Sequence, residues 1–183
     1  MHQATFTVAS LYSGTGSWSV DYAAWPAAIL LVLLLAMLAG GSSGSAAGGI
    51  KTFRWLILGK LVLRELRKIL HPKAVMPVRL GSTVVKEEAV AAVMAFFFTY
   101  LALWTAGTIA LLALEPSLDA TDSAAAAASA LGNVGGGFGA LGPTHGFAAL
   151  GVAAKVVLTS LMWLGRMEIF AALIVLNPFS WRT

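Results

Sequence analysis

The sequence LGNVGGGFGALG, residues 131–142, decides how the rest of the chain is interpreted. It follows an alanine-rich segment, residues 122–130, that is far too short to cross a bilayer, and it precedes a long apolar segment that could. A short helix that enters the membrane, stops and returns as glycine-rich backbone is how ion channels present carbonyl oxygens to a dehydrated cation. Irregular backbone at that depth is tolerated only where protein buries it or water lines it. The stretch is therefore a candidate pore loop.

Two other interpretations of this stretch stay open on its own residues. A run of glycines after a helix can be a flexible turn, and a glycine-rich loop before a helix can bind phosphate. The phosphate interpretation is the weaker one, because no Gly-Lys-Ser/Thr ending follows the glycines and no buried strand precedes them. The choice between a turn and a pore loop needs the rest of the chain.

The composition indicates a membrane protein. Of the 183 residues, 58% are hydrophobic and 11% are charged, and the mean hydropathy of +0.84 is too high for a soluble domain of this size. The absence of cysteine excludes disulfides and thiolate metal sites, and His2, His71 and His145 are too dispersed for a zinc cluster. No pairing of nucleophile and base is recognisable. We therefore expect a protein that is not an enzyme and that has no cofactor of its own.

The distribution of charge predicts the orientation in the membrane. Nine of the twelve Lys and Arg residues fall within residues 51–86, whereas Glu115, Asp119 and Asp122 cluster after the next apolar run. Basic loops stay on the cytoplasmic side, so residues 51–86 are expected inside and residues 115–122 outside. Nucleic acid is the other partner for a basic patch, but the apolar flanks make the membrane interpretation much the stronger.

The amino-terminal part of the chain has the same order of features as the stretch around residue 135. Residues 1–12 are short and moderately apolar, SGTGSW follows at residues 13–18, and a long apolar segment comes next. The likeness lies in this order more than in the literal sequence, and an internal repeat explains it. We therefore expect a short helix and a small-residue turn in each half.

The first long apolar segment is interrupted halfway. Residues 27–39 provide only about half of the roughly 20 residues that a crossing helix needs. GGSSGSAAGG, residues 40–49, follows and has poor helix propensity. A flexible soluble linker has the same composition, but it would leave a half-length helix in the bilayer. We prefer a broken helix with a loop inside the protein.

Residues 50–70 have an amphipathic pattern. One helical face carries basic side chains and the other carries most of the leucines: Lys60, Arg64, Arg67, Lys68 and His71 against Leu63, Leu66 and Leu70. A helix that leaves the membrane along a cytoplasmic surface of anionic lipid explains this pattern. A docking surface for a soluble partner explains it as well, and the two are compatible.

The second half of the chain predicts a full crossing, a short helix and a return. Residues 89–114 carry no charge and are long enough to span, and Asp122 with Ser123 is expected to cap the short helix before the glycines. The negative end of that helix would point at the glycine-rich loop and favour a cation. Residues 150–177 return inside and hold Arg166 and Glu168 at depth. Arg166 should face the bundle interior or water, or reach toward the cytoplasmic surface.

Four motifs together resemble the C-terminal half of Trk/Ktr-type potassium uptake proteins, the TrkH/KtrB superfamily. They occur in family order over nearly the whole chain: GSSGSAAGGIK (41–51), LHPKAV (70–75), NVGGGFG (133–139) and LGRMEIF (164–170). The resemblance implies an all-α polytopic membrane protein with a partial set of re-entrant repeats, each a helix, a pore loop and a helix. It divides the chain into a pore helix and filter (1–22), a broken membrane helix with a gating loop and a basic cytoplasmic extension (23–70), a cytoplasmic connection (71–87) and the fourth repeat (88–183).

The same resemblance implies roles for individual residues. A filter that coordinates K⁺ would be formed by Thr15, Gly16, Ser17, Asn133, Val134 and Gly135. A gate below it would be formed by Gly40, Gly41, Ser42, Ser43, Gly44, Ser45, Ala46, Ala47, Gly48, Gly49 and Arg166. Family gating loops often read Ser-Thr-Gly-Gly-Gly, whereas SAAGG stands here at residues 45–49, so one hydroxyl and one glycine are replaced.

The resemblance also implies partners and a location. It predicts a multi-pass protein of the bacterial inner membrane, surrounded by lipid, that forms a homodimer and binds a cytoplasmic nucleotide-binding regulatory subunit. Two N-terminal repeats and the first helix of the third are expected to lie elsewhere, in a longer frame or a separate polypeptide. The function implied is potassium transport without covalent chemistry, and the alternatives are a non-conducting membrane scaffold or a transporter fragment. A preference for K⁺ over Na⁺ stays open, because in the family it depends on the first filter.

Overall fold

The structure is a computed structural model, and it describes residues 2–42, 44, 45, 47–71, 74, 76–81, 83–167, 169 and 170. The helices in this part of the chain are α1 (His2–Ser13), α2 (Ala27–Ala39), α3 (Thr52–Leu70), α4 (Glu87–Leu114), α5 (Ala120–Gly132) and α6 (Val152–Arg166). Short 3-10 turns lie at Tyr22–Ala24 and Gly139–Leu141. Strands β1 (Arg79–Leu80) and β2 (Thr83–Val84) form an antiparallel pair with Arg79 opposite Val84. The described chain is thus helical apart from one small hairpin, as the all-α class predicts.

Helix α5 is the centre of the packing. It lies against α2, α4 and α6, and its alanines 125–128 are fully buried. Small side chains let these backbones approach closely, as in membrane helix pairs. On α4, a Cβ at Gly107 would lie 2.6 Å from Leu161 Cδ1 of α6 and 3.5 Å from Ala127 Cβ. The core is therefore built around the short alanine-rich helix that precedes the glycines.

Helix α4 has the length and composition of a membrane span. Its 28 residues extend about 42 Å at 1.5 Å per residue, more than the hydrocarbon thickness of about 30 Å. Within the described residues α4 is the one helix that meets this criterion, and α2 is apolar but shorter. Large apolar side chains remain exposed on both helices, for example Leu31 on α2 and Phe98 on α4. The crossing by α2 and α3 and the return through residues 150–177 stay predictions.

The chain between α2 and α3 folds back on itself. We call residues 40–49 the small-residue loop. Gly40 leaves α2 with φ +67, and the Ile50 N–H then donates to the Leu38 carbonyl at 3.2 Å. The Thr52 N–H donates to the Gly41 carbonyl at 3.1 Å. Helix α3 therefore starts beside the end of α2, two residues later than the pattern from residue 50 predicted.

One local expectation was wrong. Asp119, not Asp122, caps α5: its carboxylate accepts the Asp122 N–H at 2.8 Å, and Asp122 lies in the first helical turn. The two acids are one turn apart, so the sequence offered both, and the extended backbone at Asp119 made it the cap.

On α3, the buried side chains are Ile57 and Leu61, which pack with Val90 and Val93 of α4, whereas Leu66 is exposed. The sequence pattern distinguished a leucine face and a basic face of α3, and it did not show that Ile57 and Leu61 pack against α4.

Candidate functional site

The backbone after α1 and the backbone after α5 follow the same hydrogen-bond pattern. The Thr15 N–H donates to the Ser10 carbonyl at 3.0 Å, and the Val134 N–H donates to the Ser129 carbonyl at 2.9 Å. Both bonds span five residues, one more than in an α-helix. We call residues 14–18 the first glycine loop and residues 133–138 the second glycine loop. The shared pattern sets a one-to-one correspondence between them.

The two glycine loops also share their positive φ angles. Gly14 has φ +73 and Asn133 φ +53, and both directly follow a helix end. Two residues later, Gly16 has φ +68 and Gly135 φ +88. This is the left-handed region, which glycine enters without cost and asparagine more readily than other residues. Gly16 and Gly135 therefore correspond.

The correspondence shifts the predicted filter triplets by one residue. Thr15 matches Val134, so Asn133 matches Gly14 and is the residue that caps α5. Its side chain donates from Nδ2 to the Met162 carbonyl of α6 at 3.2 Å. Asparagine tolerates the left-handed conformation, so Asn133 can occupy the position that Gly14 has in the first glycine loop. The predicted triplet 133–135 therefore starts one residue before the position that matches Thr15.

Two serines support the glycine loops and were not foreseen. Ser129 Oγ accepts the Gly135 N–H at 3.0 Å, and Ser10 Oγ donates to the Ser17 carbonyl at 2.7 Å. They occupy equivalent positions, each preceded by alanine and followed six residues later by the loop glycine, as Ala-Ser-x5-Gly. This literal repeat was the signal that could have revealed both serines.

The two glycine loops lie backbone to backbone. A Cβ added to Gly16 would overlap the Val134 carbonyl oxygen and would lie 3.6 Å from the Gly135 Cα. Gly135 itself has no atom within 4 Å of an added Cβ. Within the part of the chain that the structure describes, no three His, Cys, Asp or Glu side chains gather as metal ligands. The oxygen atoms along the two glycine loops belong to backbone carbonyls, to the hydroxyls of Thr15 and Ser17 and to the Asn133 amide.

Asp122, in the first turn of α5, holds the chain that follows the second glycine loop. Its side chain, in a residue only 7% exposed, accepts the Ala140 N–H on Oδ2 at 2.9 Å. A Cβ at Gly139, which has φ +47, would overlap the same carboxylate. Burial raises the pKa of Asp122 against the opposing effect of the Ala140 N–H, whereas the Asp122 N–H lowers the pKa of Asp119. The bond between Asp122 and Ala140 closes the loop that begins at Asn133.

The small-residue loop touches the ends of both short helices. A Cβ at Gly48 would overlap the carbonyl oxygen of Gly132, the last residue of α5. An added Cβ at Gly14, after α1, would lie 3.3 Å from Ala47 Cβ. The loop therefore lies against the start of both glycine loops. Ser43 and Ala46 of the predicted gate lie outside the described residues.

Arg166 and the small-residue loop line one cavity of about 210 Å³. At Gly165, beside Arg166, an added Cβ would overlap the carbonyl of Leu131 in α5, which sets α6 close to the helix end. Lys51 and Arg54 also line this cavity. The Arg54 guanidinium lies 3.9 Å from the centre of the Phe96 ring and donates to the Ile50 carbonyl at 3.3 Å. Arg166 was expected beside this loop, and its role in a gate stays a prediction. Lys51 and Arg54, which come soon after the loop in the chain, were not expected there.

Known proteins match this chain over nearly its whole length. The family model described as "TrkH: Cation transport protein" matches residues 1–182. The chain is 38% identical to the Trk system potassium uptake protein TrkI of Halomonas elongata, over 98% of this chain and 36% of the relative. It is 36% identical to TrkG of Escherichia coli K12, over 97% of this chain and 36% of the relative.

A solved structure matches as well. The crystal structure of the potassium transporter TrkH from Vibrio parahaemolyticus aligns with a TM-score of 0.80 and 33% identity, over 98% of this chain and 37% of that chain. The chain thus spans little more than a third of the length of the relatives that it matches.

Proposed function

The chain belongs to the TrkH family of cation transport proteins, and from this premise we propose that it forms part of the pore of a membrane potassium transporter. The observation that carries the proposal is the pair of glycine loops, which have the same hydrogen-bond register and lie backbone to backbone. Carbonyl oxygens of Thr15, Gly16, Val134 and Gly135 would coordinate K⁺, with Ser17 continuing the first strand. The choice of K⁺ rests on the relatives TrkI and TrkG, which are named as potassium uptake proteins.

Electrostatics supports a cation at this place. Helix α1 ends at Ser13 and α5 at Gly132, so the carboxyl ends of both helices meet the glycine loops. Each such end carries about half a negative charge, which stabilises a cation near the last turn. Asn133 acts here as the cap that turns α5 into the filter. Within this proposal α1 and α5 are pore helices of two re-entrant repeats.

The small-residue loop is the gate in this proposal. It is adjacent to both pore helix ends, and its small side chains lose little packing when it moves. Arg166 lines a cavity with the loop and opposes a passing cation, most strongly where the passage is narrow and poorly hydrated. Movement of the loop away from the pore would open the passage without altering the filter.

The remaining parts of the transporter follow from the family. The two glycine loops would combine with further pore loops, from the same or another polypeptide, in the bacterial inner membrane. A homodimer and a cytoplasmic nucleotide-binding subunit that biases the gate are proposed on the same basis. No covalent chemistry is involved, since ions would move down their electrochemical gradient.

The test uses a chimeric transporter in which this chain replaces the matching segment of the Vibrio parahaemolyticus TrkH. In cells that lack potassium uptake, the chimera should restore growth at low K⁺. Gly135→Ala should lower uptake about fivefold to tenfold, because a left-handed backbone with a β-carbon costs about 1 kcal/mol or more at the filter.

The matched control is Gly146→Ala. Gly146 also has a positive φ, +66, and open space around an added Cβ, but it lies in a turn beyond the filter. Both substitutions carry the same backbone strain, so only a filter role separates them. Equal uptake and equal preference for K⁺ over Na⁺ in the two variants would reduce the glycine loops to ordinary turns in a membrane scaffold.

A further inference from the structure

A basic groove lies between the C-terminal half of α3 and the segment that enters β1. Its volume is about 350 Å³. Cationic side chains form one part of its wall: Lys60, Arg64, Arg67 and Arg79. Among the described residues, no acidic side chain lines it. The groove is separate from the glycine loops and from the cavity at Arg166, and neither the filter nor the gate uses it.

The charges in this basic groove are unevenly compensated. Arg64 is engaged, with Nε 3.0 Å from Glu65 Oε1 and Nη1 2.5 Å from Glu87 Oε1. Arg67 and Arg79 have no carboxylate within ion-pair distance in the part of the chain that the structure describes. Two guanidinium groups thus face the same concave space without a counter-charge. A guanidinium binds phosphate oxygens through two parallel N–H donors, which suits a phosphate better than a spherical anion.

The rest of the wall is apolar. Leu63, Met76 and Val78 line the groove beside the cations. Toward the start of α3, on the same helical face, the exposed fraction is 54% for Leu63 and 53% for Leu56, which lies two turns nearer to the middle of the membrane. Exposed aliphatic side chains next to a cationic groove match a ligand with a charged head and a hydrocarbon tail. A free nucleotide would have no use for them.

The position along α3 agrees with the surface of a bilayer. Helix α3 starts at Thr52, directly after the small-residue loop, which the proposed function places near the middle of the membrane. At 1.5 Å per residue, Lys60 and Arg67 lie about 12 and about 22 Å further along the axis. Half of the hydrocarbon thickness is about 15 Å, so the groove reaches the cytoplasmic headgroup level.

We propose that the basic groove binds the phosphate of an anionic phospholipid, with the Arg67 and Arg79 guanidinium groups on the phosphate and the acyl chains along the exposed Leu56 and Leu63 of α3. Lys60, whose Nζ donates to the Arg79 carbonyl, fixes the strand that presents Arg79. The proposal rests on the proposed function only for the depth of α3 in the membrane. A protein without a conducting pore would bind the same lipid.

Native mass spectrometry of the full chain in detergent tests this binding directly. Phosphatidylglycerol and phosphatidylcholine are titrated separately, and the retained lipid is counted. We expect phosphatidylglycerol to bind at least about tenfold more tightly, and Arg67→Gln with Arg79→Gln to remove that preference. The matched control is Lys68→Gln with Lys86→Gln, which deletes two positive charges outside the groove and should keep the preference.

Each other outcome overturns the proposal. Equal loss in the control pair would mean general surface attraction, and equal binding of both lipids in the unaltered chain would mean no headgroup site. Displacement of phosphatidylglycerol by inorganic phosphate at low millimolar concentration would identify a site for free phosphate instead. If circular dichroism shows that the double variant is unfolded, Arg79→Gln alone provides the test, with Lys86→Gln as its control. The potassium uptake of the chimera plays no part in these readouts, so a failed pore and a failed lipid site are distinguishable.

Discussion

At the scale of single residues, Asp122 connects the first turn of α5 to Ala140, which follows the second glycine loop. Asp122→Ala removes the acceptor of the Ala140 N–H and should lower the free energy of unfolding by about 1.5 to 3 kcal/mol, the range for hydrogen bonds to charged groups. Potassium uptake by the chimera should fall with it, and Asp122→Asn should restore most of both. Thermal unfolding in detergent measures the first effect, and ion uptake measures the second.

Glu115 provides the control for this prediction. Its carboxylate accepts the Gly151 N–H on an exposed surface between the end of α4 and the start of α6, so it makes the same kind of bond at another place. Glu115→Ala should leave uptake unchanged. If Glu115→Ala and Asp122→Ala lowered uptake alike, Asp122 would be an ordinary helix-terminal residue.

The sequence pointed to the glycines of the two loops and did not point to the side chains that hydrogen-bond to those loops. The family resemblance named Gly16 and Gly135, and both have a left-handed φ, which restricts the choice of residue; their role in a filter stays a prediction. Ser129 was missed, because its hydroxyl acquires a role only when the loop returns over the helix end. Asp119 and Asp122 were confused since both are good capping residues one turn apart.

At the scale of elements, the small-residue loop and α6 form the gate of the proposed function. Arg166→Ala, or a shorter loop within residues 42–47, should raise basal cation flux about threefold or more, because a positive charge in a narrow passage repels the ion. The preference for K⁺ should not change. Fluxes of ⁸⁶Rb⁺ and ²²Na⁺ through the reconstituted chimera measure both quantities.

Lys86 gives the matched substitution. It is exposed directly before α4 and lines neither the cavity at Arg166 nor the cavity at Gly135, so Lys86→Ala removes a cation and leaves the gate and the filter intact. Similar flux through the Arg166→Ala and Lys86→Ala variants, both folded and inserted, would show that the loop only fills space in the packing.

The break between α2 and α3 was predictable and its geometry was not. Glycine and serine runs end helices through propensity alone, so the end of α2 at Ala39 followed from composition. The return of Ile50 to the Leu38 carbonyl depends on α5, whose Gly132 carbonyl leaves no room for a side chain at Gly48. Local pattern cannot supply a contact between residues so far apart in the chain.

At the scale of the whole molecule, the distribution of charge predicts which ends of the helices face outward. The chain has no cysteine, so single cysteines at Ser117 and Thr83, both exposed, report the two ends of α4 without background. An impermeant maleimide added to intact cells should label Ser117→Cys and spare Thr83→Cys. Labelling of Thr83→Cys alone would invert the orientation.

The contact of the small-residue loop with both helix ends has a thermodynamic consequence. Through Gly48 against Gly132 and Ala47 beside Gly14, a displacement of the loop changes the support of both glycine loops at once. In the proposed function, ion affinity would then differ between the two positions of the loop, and linkage requires the reverse effect to be of equal size. An ion that binds about tenfold more tightly with the loop closed would favour closure about tenfold, so the permeating ion would itself be an effector of the gate.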